Sequence, residues 1–327
     1  MKYHTLGKTD LRISPIGMGG NIFGYLLDEY QTIKMLDCAL DLGINFIDTA
    51  DVYSGGLSET FVSKATSKCR HKWIIASKAG LNKGEDVAGI GKKEKIREKV
   101  ENSLKRLNTD YIDLYQLHHF DPVTPLDESL SAFDELVYEG KIRYSGCSNF
   151  NFEQMKVSFS IANSLKSNGF SSIQMPYNLL KRNIEKDILP FCRAHKMGVI
   201  VYGAIGRGIL SDKYLKINNC TTDYITRAHL SDGIRNDLTP KIQDLLQNLN
   251  KYAHEKLGTN LQTMAISWIH HQKAVSSVLL GMRSTIQLKD NLKALELVLN
   301  GENLNAIDEL IGDLSMFHSL SLGDFIS

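Results

Sequence analysis

The sequence has 327 residues, of which 43% are hydrophobic and only six are proline. This composition excludes a largely disordered chain and allows one large α/β domain or two average ones. A formal charge of +1 gives no basis for nucleic acid or an anionic membrane as the main partner, so a small molecule is favoured.

Five cysteines are scattered along the chain without a CxxC pair and without metal-ligand spacing to the histidines. This pattern predicts unpaired thiols and no metal site. The amino-terminal stretch MKYHTLGKTD lacks an apolar leader, and no apolar run is long enough to span a bilayer. The resulting expectation is a cytoplasmic protein.

The first predicted element is a β-hairpin formed by Tyr3–Thr5 and Leu11–Ile13, with a turn at the GKTD between them. Short apolar runs typical of buried strands follow at intervals along the rest of the chain. The eight strand candidates are Ile16–Gly19, Phe46–Thr49, Trp73–Ser77, Tyr111–Leu117, Ile142–Cys147, Ser172–Met175, Val199–Tyr202 and Val275–Leu280.

Segments with helical periodicity lie between these strands. In one of them, Ile96, Val100, Leu104 and Leu107 fall on one face, and lysines alternate with glutamates on the others. The mixture of charges indicates a solvated outer face rather than a nucleic-acid site.

Strands that alternate with helices predict a parallel sheet, and eight such units in a chain of this length are typical of a closed (β/α)8 TIM barrel. A doubly wound sheet is the alternative, and it is disfavoured because no G-x-G-x-x-G follows the first strand. No linker divides the chain. We therefore predict a single barrel domain over residues 1–327, with an N-terminal β-hairpin.

Polar residues recur where the predicted strands end. Parallel strands of a barrel all end at the same face, which is where barrel enzymes usually place their chemistry. The residues at or just beyond these ends are Asp48, Tyr53, Lys78, His118, His119, Ser148, Asn149, Gln174 and Tyr202.

Four of these side chains suit a proton-transfer site. A phenol is a weak acid at neutral pH, but a neighbouring ammonium lowers its pKa, so Lys78 would activate Tyr53. A buried Asp48 would keep Lys78 protonated, and a neutral His118 would orient a substrate carbonyl.

The same residues carry a resemblance to the aldo-keto reductase family, which extends over nearly the whole chain. FIDTADVYSGGLSE resembles the family signature around its catalytic Asp and Tyr, here Asp48 and Tyr53. IIASKAG matches the catalytic lysine at Lys78, and DLYQLHHFD matches the catalytic histidine at His118. The resemblance implies hydride transfer from a nicotinamide to a carbonyl carbon, with Tyr53 as the general acid.

The resemblance also implies cofactor contacts. In the family, the residues that match Ser148, Asn149 and Gln174 hold the nicotinamide carboxamide, and the residue that matches Tyr202 stacks on its ring. VYGAIGRGIL resembles the segment that follows, which adds Gly203 to the predicted contacts. Gly20 is a further candidate, through its backbone only.

Near the carboxyl terminus, LLGMRSTIQLKDN resembles the segment that wraps the adenosine phosphate. An arginine there suits a phosphate monoester, because its guanidinium is bidentate and always charged, so NADPH is favoured over NADH. The residues implied in this segment are Gly281, Arg283, Ser284, Gln287, Asp290 and Asn291.

The leading functional prediction is an NADPH-dependent reductase of an aldehyde, ketone or sugar carbonyl, in a reaction that can also run as alcohol oxidation. The alternative is a cofactor-sensing regulatory or binding subunit that resembles potassium-channel β subunits. The substrate and the oligomeric state are left open. Four segments are predicted to wall the pocket: the loop Asn21–Asp28, with Phe23 and Tyr25 as apolar contacts, the long connections Gly80–Gly91 and Gly203–Thr239 after the third and seventh strands, and the tail Met316–Ser327.

Overall fold

The computed structural model describes residues 1–80, 87–212, 215 and 239–312. The predicted tail Met316–Ser327 therefore lies outside the described residues. So does most of the long connection after the seventh barrel strand.

Eight parallel strands close into a barrel, and a two-stranded antiparallel hairpin precedes them. The order around the barrel is β3 to β10, with β10 pairing both β9 and β3. The strand bounds are β1 His4–Thr5, β2 Arg12–Ile13, β3 Ile16–Gly19, β4 Phe46–Asp48, β5 Ile74–Ala79, β6 Ile112–Leu117, β7 Ile142–Ser148, β8 Ser172–Pro176, β9 Gly198–Tyr202 and β10 Val275–Leu280. The predicted (β/α)8 barrel with its N-terminal hairpin is confirmed.

Helices lie between successive strands and cover the outside of the barrel. Their bounds are α1 Glu29–Asp41, α2 Leu57–Thr66, α3 Lys93–Leu107, α4 Leu126–Tyr138, α5 Phe152–Leu165, α6 Ile188–Ala194, α7 Pro240–Leu257, α8 Leu261–His270, α9 Thr285–Leu292 and α10 Gly301–Ile311. The amphipathic α3 buries the predicted face of Ile96, Val100, Leu104 and Leu107. Its charged residues form ion pairs along the outer surface, such as Arg97 with Glu139.

The hairpin closes the amino-terminal end of the barrel. Its Leu6, Leu11 and Ile13 are buried in one cluster with interior strand residues that include Phe46 and Leu114. Since this end is sealed by apolar packing, any opening to the barrel interior lies at the carboxyl ends of the strands.

The cysteine prediction agrees with the described part of the chain. Cys38, Cys69, Cys147 and Cys192 are all free thiols, and Cys220 lies outside the described residues. Within the described ranges, no helix combines the length and the apolar character needed to cross a bilayer.

Candidate active site

A buried ion pair joins the carboxyl ends of the neighbouring strands β4 and β5. Lys78 Nζ lies 2.5 Å from Asp48 Oδ1 and also donates to the carbonyl of Thr49 at 2.9 Å. The Lys78 side chain is fully buried, so its charge has no access to solvent. Burial by itself lowers the pKa of this ammonium, but Asp48 and Tyr53 together reverse the effect and raise it. Lys78 is therefore a permanent cation, as predicted.

Asp48 receives two further hydrogen bonds, both on its second oxygen. Gln174 Nε2 donates to Oδ2 at 2.7 Å, and Gln116 Nε2 donates to the same atom at 3.2 Å. Gln116 is a site residue that the sequence analysis missed. Its signal was available, because it lies two positions before His118, at the spacing that places side chains on the same face of a strand.

Tyr53 lies in a tight turn directly after β4, which brings its phenol back towards Lys78. The turn has positive φ values at Ser54, Gly55 and Gly56, and Ser54 Oγ donates to the carbonyl of Phe23 at 2.9 Å. The distance from Lys78 Nζ to the phenol oxygen is 3.3 Å. The Tyr53 turn, tied to the loop at Phe23, thus places the phenol beside the ammonium of Lys78.

The pKa of Tyr53 corrects one expectation. Burial of the phenol raises its pKa, and the charge of Lys78 lowers it by less, so the net shift is upward. Lys78 thus acts in the predicted direction, but burial, which the prediction did not include, outweighs it. Tyr53 is consequently a protonated phenol at neutral pH, with a cation in place to stabilise its ionised form.

His118 completes the group at the end of β6. Its ring lies edge-on to that of Tyr53, with 6.0 Å between the ring centroids, and it stacks on His119 at 4.9 Å. Burial, followed by the charge of Lys78, lowers the pKa of His118 well below its ordinary value, so the imidazole is neutral as predicted. His118 Nδ1 has no hydrogen-bond partner among the described residues.

The predicted carboxamide residues form a hydrogen-bonded network next to these four. Asn149 has a positive φ of 60°, and its Nδ2 donates to Ser148 Oγ and to the carbonyl of His118, both at 3.1 Å. Tyr202 donates to Asn149 Oδ1 at 2.7 Å, and Ser148 Oγ donates to the carbonyl of Gln174 at 3.1 Å. The carboxyl ends of β6, β7, β8 and β9 are thereby linked by side chains.

Two predicted glycines have clear backbone roles. A Cβ at Gly20 would lie 2.9 Å from the carbonyl of Asp48 and 3.0 Å from Ser58 Oγ, so packing alone requires a glycine there. Gly203 has a φ of 69° directly after Tyr202, and its carbonyl accepts a 2.9 Å hydrogen bond from Asn178. Their contacts with a cofactor stay predictions.

The segment after β10 presents a helix N-terminus beside an exposed arginine. Ser284 is the N-cap of α9 and accepts from the backbone N–H of Gln287 at 3.2 Å. Gln287 Oε1 accepts from the N–H of Arg283 at 2.9 Å, and both Arg283 and Gly281 are exposed. The N–H groups of such a turn, together with a guanidinium, suit an anion.

Asp290 and Asn291, further along α9, have partners within the protein. Asp290 is exposed and pairs with Lys293 at 2.8 Å. Asn291 is buried and accepts from Gln262 Nε2 at 2.5 Å, which joins α9 to α8. Their predicted roles towards an adenosine group stay predictions.

One predicted pocket residue is not where the sequence analysis placed it. Phe23 is fully buried in the core and is not available to a substrate, whereas Tyr25 is 57% exposed. The Phe23 side chain packs in the main hydrophobic cluster, and Ser54 Oγ donates to its backbone carbonyl, which ties this loop against the Tyr53 turn.

The protein is thus a (β/α)8 barrel in which a buried lysine, an aspartate, a tyrosine and a neutral histidine lie together at the carboxyl ends of the strands. The model of the Aldo/keto reductase family matches residues 15–312. The chain belongs to this family of oxidoreductases.

Individual relatives are similar along almost their whole length. The chain is 35% identical to the aldo-keto reductase YhdN of Bacillus subtilis, over 95% of this chain and 94% of that protein. It is 30% identical to a probable voltage-gated potassium channel subunit beta of Oryza sativa, over 91% and 92% of the two chains. The holo form of the aldo-keto reductase AKR11C1 from Bacillus halodurans has a TM-score of 0.76 and 34% identity, over 95% and 96%.

Proposed function

We propose that the protein is an NADPH-dependent reductase of an aldehyde, ketone or sugar carbonyl, with Asp48, Tyr53, Lys78 and His118 as its catalytic residues. The observation that carries the proposal is the position of Lys78 Nζ, buried between Asp48 Oδ1 at 2.5 Å and the Tyr53 hydroxyl at 3.3 Å. A cation held in this way beside a phenol suits proton donation to a developing alkoxide.

The residues next to the proposed catalytic group fit NADPH. The polar network of Ser148, Asn149 and Gln174 lies next to the catalytic group and offers amide and hydroxyl partners for a carboxamide. At the far side, the capped N-terminus of α9 and the exposed Arg283 suit a phosphate, with Arg283 favouring NADPH over NADH.

When bound, the nicotinamide supplies the hydride that reduces the carbonyl carbon. The neutral imidazole of His118 donates a hydrogen bond to the carbonyl oxygen and orients it. Tyr53 then gives its phenolic proton to the same oxygen.

The phenolate that remains on Tyr53 is stabilised by the ammonium of Lys78. Asp48 keeps that ammonium charged and fixed, and the amides of Gln116 and Gln174 fix Asp48 in turn. In the reverse direction, the same phenolate accepts the proton of an alcohol.

The second candidate is a cofactor-sensing binding subunit. It is supported by the 30% identity to the probable potassium channel subunit beta of rice. The complete Asp, Tyr, Lys and His group favours the reductase. The cytoplasmic location and the single-domain organisation stay predictions.

The direct test compares the wild type with Tyr53→Phe and with Tyr144→Phe, whose hydroxyl bonds Asp10 at the sealed end of the barrel. We expect Tyr53→Phe to abolish reduction of a panel of aldehydes, ketones and sugars while NADPH affinity, followed by fluorescence quenching, stays unchanged. Tyr144→Phe should retain turnover. Full turnover by Tyr53→Phe would remove it from the acid role, and a wild type that binds NADPH but reduces no carbonyl would favour the binding subunit.

A further inference from the structure

Asp51 lies between Asp48 and Tyr53 in the chain and forms hydrogen bonds to the end of strand β5 through both its backbone and its side chain. Its backbone N–H donates to the carbonyl of Lys78 at 3.3 Å. Its side-chain Oδ1 accepts from the N–H of Gly80 at 2.7 Å. Asp51 therefore bonds the residues on both sides of Ala79, which directly follows Lys78.

The same short stretch also anchors His118. The backbone N–H of His118 donates to the carbonyl of Ala79 at 3.1 Å, so the β4, β5 and β6 ends meet at Ala79 and Gly80. Asp51 is the side chain that ties the Tyr53 turn to this meeting point.

A second partner fixes Asp51 from the outside of the barrel. Lys99 Nζ on helix α3 lies 2.7 Å from Asp51 Oδ2, and the two side chains are only 13% and 7% exposed. Both carboxylate oxygens thus have a donor, which leaves the side chain little freedom to rotate.

Gly80 shows how closely the three segments approach. A Cβ built there would lie 2.8 Å from His118 Nδ1, 2.8 Å from a methyl group of Val52 and 2.9 Å from Asp51 Oδ1. There is no space for a side chain at Gly80, so Asp51, Val52 and His118 all lie against the same short piece of backbone.

We propose that Asp51, held by Lys99, is a positioning residue for carbonyl reduction, which sets the distances between Tyr53, Lys78 and His118. This inference rests on the proposed function. Asp51 does not touch the reacting atoms; it acts through the turn and the strand end that it joins.

The charges of Asp51 and Lys99 also affect the pKa values of Tyr53 and His118. Burial is the main cause of the raised pKa of Tyr53, and the carboxylate of Asp51 adds to it. Burial is likewise the main cause of the lowered pKa of His118, and Lys99 adds to it. The pair as a whole is neutral, so removing one member changes the field at the site while removing both largely restores it.

The structure offers a matched control at the opposite end of the same strand. Asp113 is also buried, accepts from the backbone N–H of Ile75 at 3.0 Å and pairs with Arg70 at 2.7 Å. Its carboxylate accepts from a backbone N–H at the amino end of β5, as the carboxylate of Asp51 does at the carboxyl end. A purely structural role of Asp51 predicts that loss of either residue lowers stability without changing the kcat of the folded fraction.

The test measures kcat, KM and NADPH affinity for Asp51→Ala, Asp51→Asn and Asp113→Ala. Because small displacements of reacting groups cost about 100-fold, we expect Asp51→Ala to lower kcat by about that factor with unchanged NADPH affinity. Asp51→Asn keeps an acceptor for the N–H of Gly80, so its kcat should fall only about tenfold. Asp113→Ala should lower stability but keep the kcat of its folded fraction. An Asp51→Ala enzyme with wild-type kcat would overturn the proposal.

Lys99 variants keep the test decisive if Asp51→Ala does not fold. Lys99→Met should lower kcat about tenfold, whereas Lys99→Arg, which keeps the cation, should retain the kcat of the wild type. The double variant Asp51→Asn/Lys99→Met should show a smaller fall in kcat than the product of the two single falls. Independent losses that simply multiply would overturn the inference.

A spectroscopic readout separates this inference from the proposed function. The imidazole NMR signals of His118, assigned with His118→Gln, should move in Asp51→Ala and stay in place in Asp113→Ala. An inactive wild type with this signal change would reject the reductase but support the positioning contact. Unmoved signals in Asp51→Ala, with turnover intact, would reject the positioning role alone.

Discussion

Lys78→Met tests how strongly the buried cation is coupled to its surroundings. Methionine fills a similar volume, but it removes the donor that bonds Asp48, Thr49 and Tyr53 at 2.5, 2.9 and 3.3 Å. Asp48 would remain 2% exposed with only the amides of Gln116 and Gln174 as partners. A buried carboxylate in this state has lost its counter-charge.

The size of the effect follows from that loss. Removing one member of a buried ion pair costs about 3–5 kcal/mol, because the remaining charge is left without compensation. We expect the free energy of unfolding of Lys78→Met to fall by this amount. The control is Lys64→Met, which breaks a pair of the same 2.5 Å length with Glu29 that is half exposed. That variant should lose less than about 1 kcal/mol.

Urea unfolding, followed by the fluorescence of the buried Trp73 and Trp268, measures these differences as shifts of the midpoint at constant slope. The double variant Asp48→Asn/Lys78→Met removes both charges. Its loss should be smaller than the sum of the two single losses by at least about 1 kcal/mol. A Lys78→Met protein with the midpoint of the wild type, or strictly additive losses in the double variant, would refute the reasoning.

Two further predictions concern acid stability and cofactor choice. Because the pKa of His118 is lowered well below 6.5 in the folded protein, the unfolded chain binds a proton that the folded protein does not, and stability falls as the pH drops below 6.5. Urea midpoints between about pH 7.5 and 5.5 should decline less in His118→Gln than in the wild type, and parallel profiles would contradict this. Arg283→Ala should weaken NADPH binding about 10- to 100-fold and leave NADH nearly unchanged, whereas equal losses in a fluorescence titration would count against a phosphate contact.

The barrel could be predicted because its strands are buried on both faces over most of their length and therefore form short, largely apolar runs in the sequence. The strand boundaries differ by at most two residues from those predicted. The third barrel strand was predicted as Trp73–Ser77, but β5 runs from Ile74 to Ala79 and includes Lys78. Lys78, the proposed catalytic lysine, is thus part of the sheet, and its backbone is fixed by pairing with β6.

Residues that act through distant partners were not visible in the sequence. Asp51 and Lys99 are 48 positions apart and come together because α3 packs against α2 and β5. The net shift of the Tyr53 pKa was not visible for a related reason, since the sequence indicates the charge of Lys78 but not the burial that outweighs it. Burial is a property of the folded chain as a whole.

The structure also joins two groups of residues that the sequence analysis treated separately. Gln174 was predicted as a cofactor contact, yet its Nε2 donates to Asp48 Oδ2 at 2.7 Å, and Asp48 in turn holds Lys78. A change at Gln174 would therefore reach Lys78 and Tyr53 through a single carboxylate. In this barrel, the groups proposed to recognise the nicotinamide and those proposed to move the proton form one hydrogen-bonded unit, so that substitutions in the two groups should not have independent effects.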